Sequence, residues 1–581
     1  MKWWPAKAAD NDGDDRRARS GSLHRFNGGV KPPSEKAQSV TEPIGIPPLP
    51  TRLIVPLHQS IGGTPRPVVK AGDRVLKGQL IGEADGWISA AIHAPTSGLV
   101  REIGLFAQPH PSGLAAASVL IEPDGKDEWI ERVPVDHGTL SPDEIREFIR
   151  QSGIVGLGGA VFPTHGKLVP PRGRSMDEVV INGGECEPYI TCDDILMRER
   201  AEDIVRGAGI FRDLLQPKRV LIGIEDNKPE AAAIMRAAVQ AVGENFEVMV
   251  VPALYPAGSA KQLIRVMTGK EIPVGKRSTE LGVQCFNVGT AYSVWRALAH
   301  GEPLISRIVT VTGNVERPRN WDALIGTPMD ELLALSEPKA GTNSIIMGGP
   351  MMGFVVPDHG ASVIKATNCL IAGSPELFPA PPPEMPCIRC GECAKACPQD
   401  LQPFELYWHS RAKNFGKTQQ YSIFDCIECG CCSYVCPSHI PLVQYFRFSK
   451  SEIWARERDK KAADGARVRF ELKQSREDRE KREKAEKLAK AAAAQAAKKA
   501  ADSDASPVPS RGEPGPEADA DAAKKAAIAA AMERARIQRA TAKPQNTEAL
   551  TPAQQQEIEA IEARRAASGQ AEASESGKTE S

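Results

Sequence analysis

Two cysteine runs, CIRCGECAKACP at 387–398 and CIECGCCSYVCP at 426–437, constrain this chain more than any other feature. Cys387, Cys390, Cys393 and Cys397 recur as Cys426, Cys429, Cys432 and Cys436, a shift of 39 residues, and Gly391 and Pro398 recur as Gly430 and Pro437. Each run reads C-x2-C-x2-C-x3-C-P, the bacterial ferredoxin spacing for [4Fe–4S] ligation. Three thiolates two residues apart wrap one face of a cubane, and the glycine lets the backbone approach its sulfides. The fourth cysteine opens the next helix and points toward the other cubane. The spacing therefore predicts crossed ligation, Cys387, Cys390 and Cys393 with Cys436, and Cys426, Cys429 and Cys432 with Cys397. Zinc is the rival reading. It takes two short cysteine knuckles well apart, or cysteine with histidine, and two complete runs each closed by Cys-Pro argue against it. Cys431 breaks the spacing and is a spare, while Cys186, Cys192, Cys285 and Cys369 read as buried small apolar residues.

The rest of the chain sets the context. Nine of thirteen cysteines crowd into 387–436 of a 581-residue chain, and the amino terminus has no apolar export segment. Reduced thiolates holding metal in the cytoplasm fit that usage better than disulfides do. A net charge of −1 leaves no global field for nucleic acid. No run of eighteen apolar residues occurs, so a membrane location is expected to come through partners.

Along the chain, 1–22 reads as a disordered, charged lead-in. Residues 23–136 alternate short β-branched runs with turn signals such as Ala71-Gly72-Asp73, predicting a small all-β unit. It resembles the barrel-sandwich of biotinyl and lipoyl domains, but ADGWISAAIHAP offers no lysine at the hairpin tip where those domains are modified. At 137–254 strands such as EVVING alternate with helices, the first capped by Ser141 with Pro142 and Glu144 behind it, which predicts an α/β layer. Residues 255–372 hold the remaining α/β core and a β-grasp-like unit, 373–386 a proline linker, and 387–455 the two-cluster ferredoxin domain. Past 455 an Ala-Lys-Glu-Arg composition with no apolar stripe predicts fraying helix and disorder to residue 581.

Two clusters move single electrons and make no bonds, so the α/β layer must explain their source. SGIVGLGGAVFPTHGKL at 152–168 is glycine-dense after a helix and is neither a Walker loop nor a Rossmann fingerprint. Its glycines would let a backbone meet a phosphate or a flavin ring, or merely turn the chain. INGGECEPYITCDD follows, placing Asn182, Glu185 and Glu187 at a strand's carboxyl end, where open α/β sheets bind ligands.

Together, GLGGAVFPTHGKL, INGGECEPYITCDD and the double cysteine run resemble the C subunit of the Rnf (Rsx) ion-translocating electron-transport complex, over roughly residues 20–450. The first two segments also resemble the flavin- and NADH-binding subunit of respiratory complex I. The resemblance implies FMN, with NADH as substrate, at Gly156, Gly158, Gly159, Asn182, Glu185 and Glu187. YPAGSAKQLIRVMTG stands where the relatives carry a further flavin segment, and Leu157 where complex I has a basic residue. It also implies a peripheral subunit on the cytoplasmic side of the inner membrane, with membrane subunits and ferredoxin-type carriers as partners. Two other readings stay open: an iron–sulfur relay and docking scaffold without flavin, and a soluble NADH:ferredoxin reductase.

Overall fold

Short β-branched runs broken by turns fold first into two small facing sheets. In the computed structural model, which describes residues 23–170 and 175–502, these strands are β1 (Leu53–Pro56), β2 (Arg66–Pro67), β3 (Arg74–Val75), β4 (Leu80–Glu83), β5 (Ile92–His93), β6 (Gly98–Ala107) and β7 (Ala115–Pro123). One sheet runs β1-β7-β6-β3 and the other β2-β4-β5, with antiparallel pairing throughout. Leu53, Val55, Val75, Ile81, Val100, Val119 and Ile121 are buried in one shared apolar core. The β4–β5 hairpin tip carries Trp87, 55% exposed, where a modifiable lysine would sit.

The α/β layer opens with α1 (Pro142–Gln151). Its capping box is complete: Glu144 N–H donates to Ser141 Oγ at 3.3 Å, and Ser141 N–H to Glu144 Oε2 at 2.8 Å. Strands β8 (Glu178–Gly183), β9 (Arg219–Glu225), β10 (Glu247–Val251) and β11 (Val283–Asn287) form a parallel sheet in the order β10-β9-β8-β11. Between the strands run α2 (Cys192–Glu199), α3 (Ala201–Leu215), α4 (Pro229–Val242) and α5 (Ala260–Thr268), and α6 (Val288–His300) follows β11. Val179, Val180, Ile181, Leu221, Ile222 and Val283 are fully buried, so both sheet faces are covered, as near-continuous apolar strands require. Ligand space is left at the strands' carboxyl ends, where β8 and β11 finish in register at Asn182 and Asn287.

A second lobe is built on β12 (Ser306–Gly313), β13 (Arg319–Leu324), β14 (Ser344–Met347), β15 (Phe354–Val355) and β16 (Cys369–Gly373), in the order β13-β12-β16-β14-β15, with α7 (Met329–Ala334). Only the β12–β16 pair is parallel, and Val309, Val311, Leu332 and Leu370 form a separate core. The cysteine region is α8 (Glu392–Lys395), α9 (Pro403–Arg411), α10 (Phe415–Gln420), α11 (Cys431–Tyr434) and α12 (Leu442–Asp502). Leu406, Tyr407, Ile423, Phe446 and Ile453 supply its core.

The molecule divides into two units at Ala466. Among the described residues of the second unit, 467–502 are helical, and the side chains through 498 are exposed. The composition predicts fraying there, yet the chain keeps one helix to Asp502. No glycine or proline interrupts 466–502, and its Ala, Lys, Glu and Arg are the strongest helix formers. The predicted lead-in at 1–22 and the tail beyond 502 lie outside the described residues.

Candidate metal centres and cofactor cradle

The eight motif cysteines line two cavities, and the partition crosses between the runs. Cys387, Cys390, Cys393 and Cys436 line one small cavity, and Cys397, Cys426, Cys429 and Cys432 line another. The 39-residue repeat reaches the backbone angles. Left-handed residues fall at Arg389 and Gly391 (φ 55° and 80°) in the first run, and at Glu428 and Gly430 (58° and 81°) in the second. These alternate left-handed residues curl each run around its cavity, and Asp400 and His439 (53° and 52°) repeat the same turn behind the fourth cysteine.

The donor set fits a polynuclear cluster better than zinc. Four thiolates about 2.3 Å from one zinc must lie about 4 Å from each other. Among the described residues, no three of these sulfurs come within 4.8 Å of one another. The walls are apolar: Leu401, Leu406 and Phe446 around one quartet, Phe404, Ile440 and Leu442 around the other. Burial pushes the Cys393 thiol up to about 12, with Cys390 and Cys436 adding to it, and pushes Cys426 up to about 11. Thiols in such surroundings stay protonated near neutral pH unless a cationic centre offsets the charge.

The glycine loop lies at the carboxyl edge of the parallel sheet. Val155 and Pro163 form an isolated antiparallel bridge, and Gly156 N–H donates to Phe162 O at 2.9 Å, closing the loop. Leu157 turns inward, 7% exposed, its N–H donating to Thr290 Oγ1 at 2.9 Å. The residue that replaces complex I's basic side chain is therefore a plug into the core. Gly158, Gly159 and Ala160 form the exposed tip. Gly159 has φ +104°, and a Cβ there would meet nothing within 4 Å, so its conformation needs glycine while the space above it is open. A Cβ on Gly158 would lie 3.4 Å from Asn287 Cβ, so this glycine backs onto Asn287.

The acidic residues after β8 are more deeply engaged than their sequence position suggests. Asn182 Nδ2 donates to Gly258 O at 2.9 Å, and its Oδ1 accepts from Gly184 N–H at 2.8 Å. Glu187 Oε1 accepts from the N–H groups of Met351 and Met352, at 2.6 and 3.0 Å, and burial raises its pKa. Glu185 Oε1 accepts from Asp193 N–H at 2.8 Å, whereas its buried Oε2 has no hydrogen-bond partner and faces Lys36 Nζ at 4.0 Å. Burial with Glu185 close by pushes Asp193 up to about 7. Asn182 and Glu187 thus tie neighbouring loops together, while Gly158 and Gly159 retain capacity for a ligand and Glu185 Oε2, ion-paired with Lys36, keeps an unused hydrogen-bonding site.

Sequence reasoning missed the groups that hold this loop. Lys36 donates to the carbonyls of Glu187 and Ile190, and Lys228, fully buried with Glu225, reaches Glu185 O at 3.4 Å. Asn287 caps α6 through Gly289 N–H and donates to Asp193 Oδ2 at 2.6 Å. Its signal was available, since FNVGT is a second apolar strand ending in asparagine before a helix. Tyr255 was also missed. Its segment was read as a flavin segment, but its hydroxyl reaches the second cysteine run.

Comparison with known proteins agrees with this architecture. Family models match as the RnfC barrel sandwich hybrid domain over 24–126, the Nuo51 FMN-binding domain over 149–296, the SLBB domain over 308–355 and the 4Fe-4S dicluster domain over 386–440. The C subunit of the ion-translocating oxidoreductase complex of Haemophilus influenzae strain PittEE is 46% identical over 463 residues, covering 79% of this chain and 71% of the relative. The protein of the same name from Yersinia pestis bv. Antiqua is 47% identical over 454 residues, 78% of this chain and 73% of that one. Pseudomonas aeruginosa PAO1 has one at 48% over 459 residues, 78% and 59% of the two chains. Among solved structures, an NAD+-reducing [NiFe]-hydrogenase in the H2-reduced state matches at a TM-score of 0.40 and 16% identity, covering 55% of this chain and 65% of that one. With the four domains in this order and nearly half the residues shared along most of both chains, the protein belongs to the family of C subunits of ion-translocating oxidoreductase complexes.

Proposed function

We propose that this chain carries electrons between NADH and the membrane subunits of an ion-translocating complex, bound peripherally on the cytoplasmic face of the inner membrane. Among the described residues no helix is long and apolar enough to cross a membrane. In this reading, attachment and translocation belong to partner subunits. FMN, when bound, supplies the change from two-electron to one-electron transfer that links nicotinamide to iron–sulfur chemistry. The open tip at Gly158 and Gly159 and the carboxyl edge of β8 and β11 would hold it, with Glu185 beside them. Cys397, Cys426, Cys429 and Cys432 would ligate one [4Fe–4S] cluster, and Cys387, Cys390, Cys393 and Cys436 the other.

One observation carries the order of transfer. The Cys397 quartet packs against both sheet lobes, through Tyr255 and Cys186 of the first and Met351 of the second, whereas Cys390 of the other quartet is exposed, as are Ile388 and Met385. Electrons from the first lobe therefore meet the inner quartet first and leave by the outer one toward a ferredoxin-type carrier or a membrane subunit, or run the reverse course. The purified chain should hold about eight irons, release FMN on acid treatment, and bleach with NADH. Gly158→Val and Gly159→Val should lower flavin content and NADH oxidation while iron stays near about eight.

The relay scaffold is the second reading, favoured by the commitment of Asn182 and Glu187 to backbone groups within the protein. It predicts the same iron with no flavin at all. A chain that carries FMN rules it out.

A further inference from the structure

We infer that Tyr255 is a positioning residue that biases the reduction potential of the inner cluster. The inference rests on the cluster assignment above and not on the flavin. Tyr255 is 3% exposed, and its hydroxyl donates to the backbone carbonyl of Cys429 at 2.6 Å across 174 residues of chain. The ring cannot drift. The Tyr255 backbone exchanges two hydrogen bonds with Val30, at 2.9 and 3.0 Å, and Gly29 N–H donates to Ala396 O at 3.0 Å, so one amino-terminal strip pins the tyrosine and the cysteine region together. Cys431, Val435 and Ala396 pack around the contact and bury it.

In that setting a fixed dipole acts with little screening. The hydroxyl bonds the main chain of a ligand, with the buried Glu187 carboxylate as its other close neighbour, and reduction adds one negative charge to the centre behind that carbonyl. The positive end of the O–H dipole stabilises the reduced form, so Tyr255 holds the inner potential above the value it would otherwise have. Hydrogen bonding and solvent exposure are the usual determinants of cluster potential. The repeat supplies the control: Cys390, the counterpart of Cys429, is exposed, and Tyr255 is not among the residues that line its cavity.

The test is a redox titration of the full chain followed by electron paramagnetic resonance, with the inner signal assigned as the one lost in Cys426→Ala. Wild-type iron and both signals are measured first. Their absence defeats the cluster assignment, and this proposal with it. Given both signals, Tyr255→Phe should move the inner potential negative and leave the outer one in place. Replacement of Tyr255 by a ring-fluorinated tyrosine, a stronger donor, should move the same signal positive. A residue that merely docks two lobes would change cluster content, not potential in opposite directions. The proposal is overturned if the inner potential is unmoved in Tyr255→Phe, or if both potentials move together. It is also overturned if the phenylalanine variant loses the inner cluster while the fluorinated protein titrates like wild type. Flavin content measured on the same samples reports the flavin reading independently.

Discussion

The inner and outer cysteine quartets share a motif, a repeat length and even their backbone angles, yet the fold gives them different surroundings. At equivalent positions Ile388 is 67% exposed and Ile427 is packed beside Met351 and Tyr434. Cys390 is exposed and Cys429 buried. A Cβ on Gly391 would meet nothing within 4 Å, whereas one on Gly430 would lie 2.8 Å from Met351 O. Glu392 in the first run is replaced by Cys431, fully buried, in the second. A symmetric motif has thus been made directional by what packs on one side of it. An electron path needs that asymmetry, because two identical solvent-facing centres would define no order.

The comparison breaks most decisively at the ligands. If the quartets cross as the cavities are lined, Cys397→Ala should abolish the same paramagnetic signal as Cys426→Ala, and Cys436→Ala the same signal as Cys387→Ala. Iron should fall from about eight toward about four in each case. Local wiring gives the opposite pairing, with Cys397 behaving like Cys387. Alanine is chosen because serine oxygen can itself bind iron.

The glycine pair sharpens the difference in kcal/mol. Gly391→Ala meets only the left-handed backbone, a cost of about 1–2 kcal/mol. Gly430→Ala meets that cost and a main-chain oxygen that cannot swing away, adding about 1–3 kcal/mol of overpacking. Apparent Tm should therefore fall further for Gly430→Ala, and the inner signal alone should broaden. Equal shifts for the two variants would mean that Met351 yields, and that the lobes are held less tightly at this seam.

A smaller effect is expected at the isoleucines. Ile427→Ala removes side-chain carbons from a packed seam and should destabilise by about 2 kcal/mol, at the low end for large-to-small core changes because Ile427 is only partly buried. Ile388→Ala, at the surface, should stay within about 0.5 kcal/mol. Thermal melts of the two proteins decide this. A large loss at Ile388 would show the outer quartet to be covered.

The two groups of cysteines that line the cavities were legible in sequence because the ferredoxin spacing is short and local, and the repeat suggested their crossed grouping. The capping box of α1 and the apolar strands of the parallel sheet were legible for the same reason, each being a rule over a few residues. What stayed hidden lies between distant segments. Lys36 reaches the loop at 185–190, Tyr255 reaches Cys429, and Glu187 holds Met351, and none leaves a periodic trace. Leu157 is the instructive case. Its apolar side chain read as a departure from the complex I loop, and the structure explains it as an anchor turned to the core. The helical stretch to Asp502 misled in the other direction: the absent apolar stripe signalled that nothing packs there, and composition alone kept it helical.

The smallest expected effect comes from that stretch, and it separates the part of α12 that serves the quartets from the part that does not. Val443 and Phe446 wall the inner cavity, Leu442 the outer one, and Ile453 completes the core. From Arg467 to Lys498 every described side chain is exposed. Four of its ion pairs, Arg467–Glu471, Lys473–Glu477, Arg476–Glu480 and Arg479–Glu483, place the cation four residues before the acid, and a fifth, Asp478–Lys481, places the acid three residues before the cation. Cation before acid is the weaker order against the helix dipole, so each of the four contributes only a few tenths, about 0.2–0.5 kcal/mol at best. A chain ending at Ala466 should keep its iron, both paramagnetic signals and its NADH oxidation, with Tm unchanged within error. Ending the chain at Pro441 instead should cost iron from both quartets, because their apolar walls go with the helix. If the cut at Ala466 disturbed either signal, the second unit would be part of the electron path, and burial around the cysteines alone would no longer explain the asymmetry.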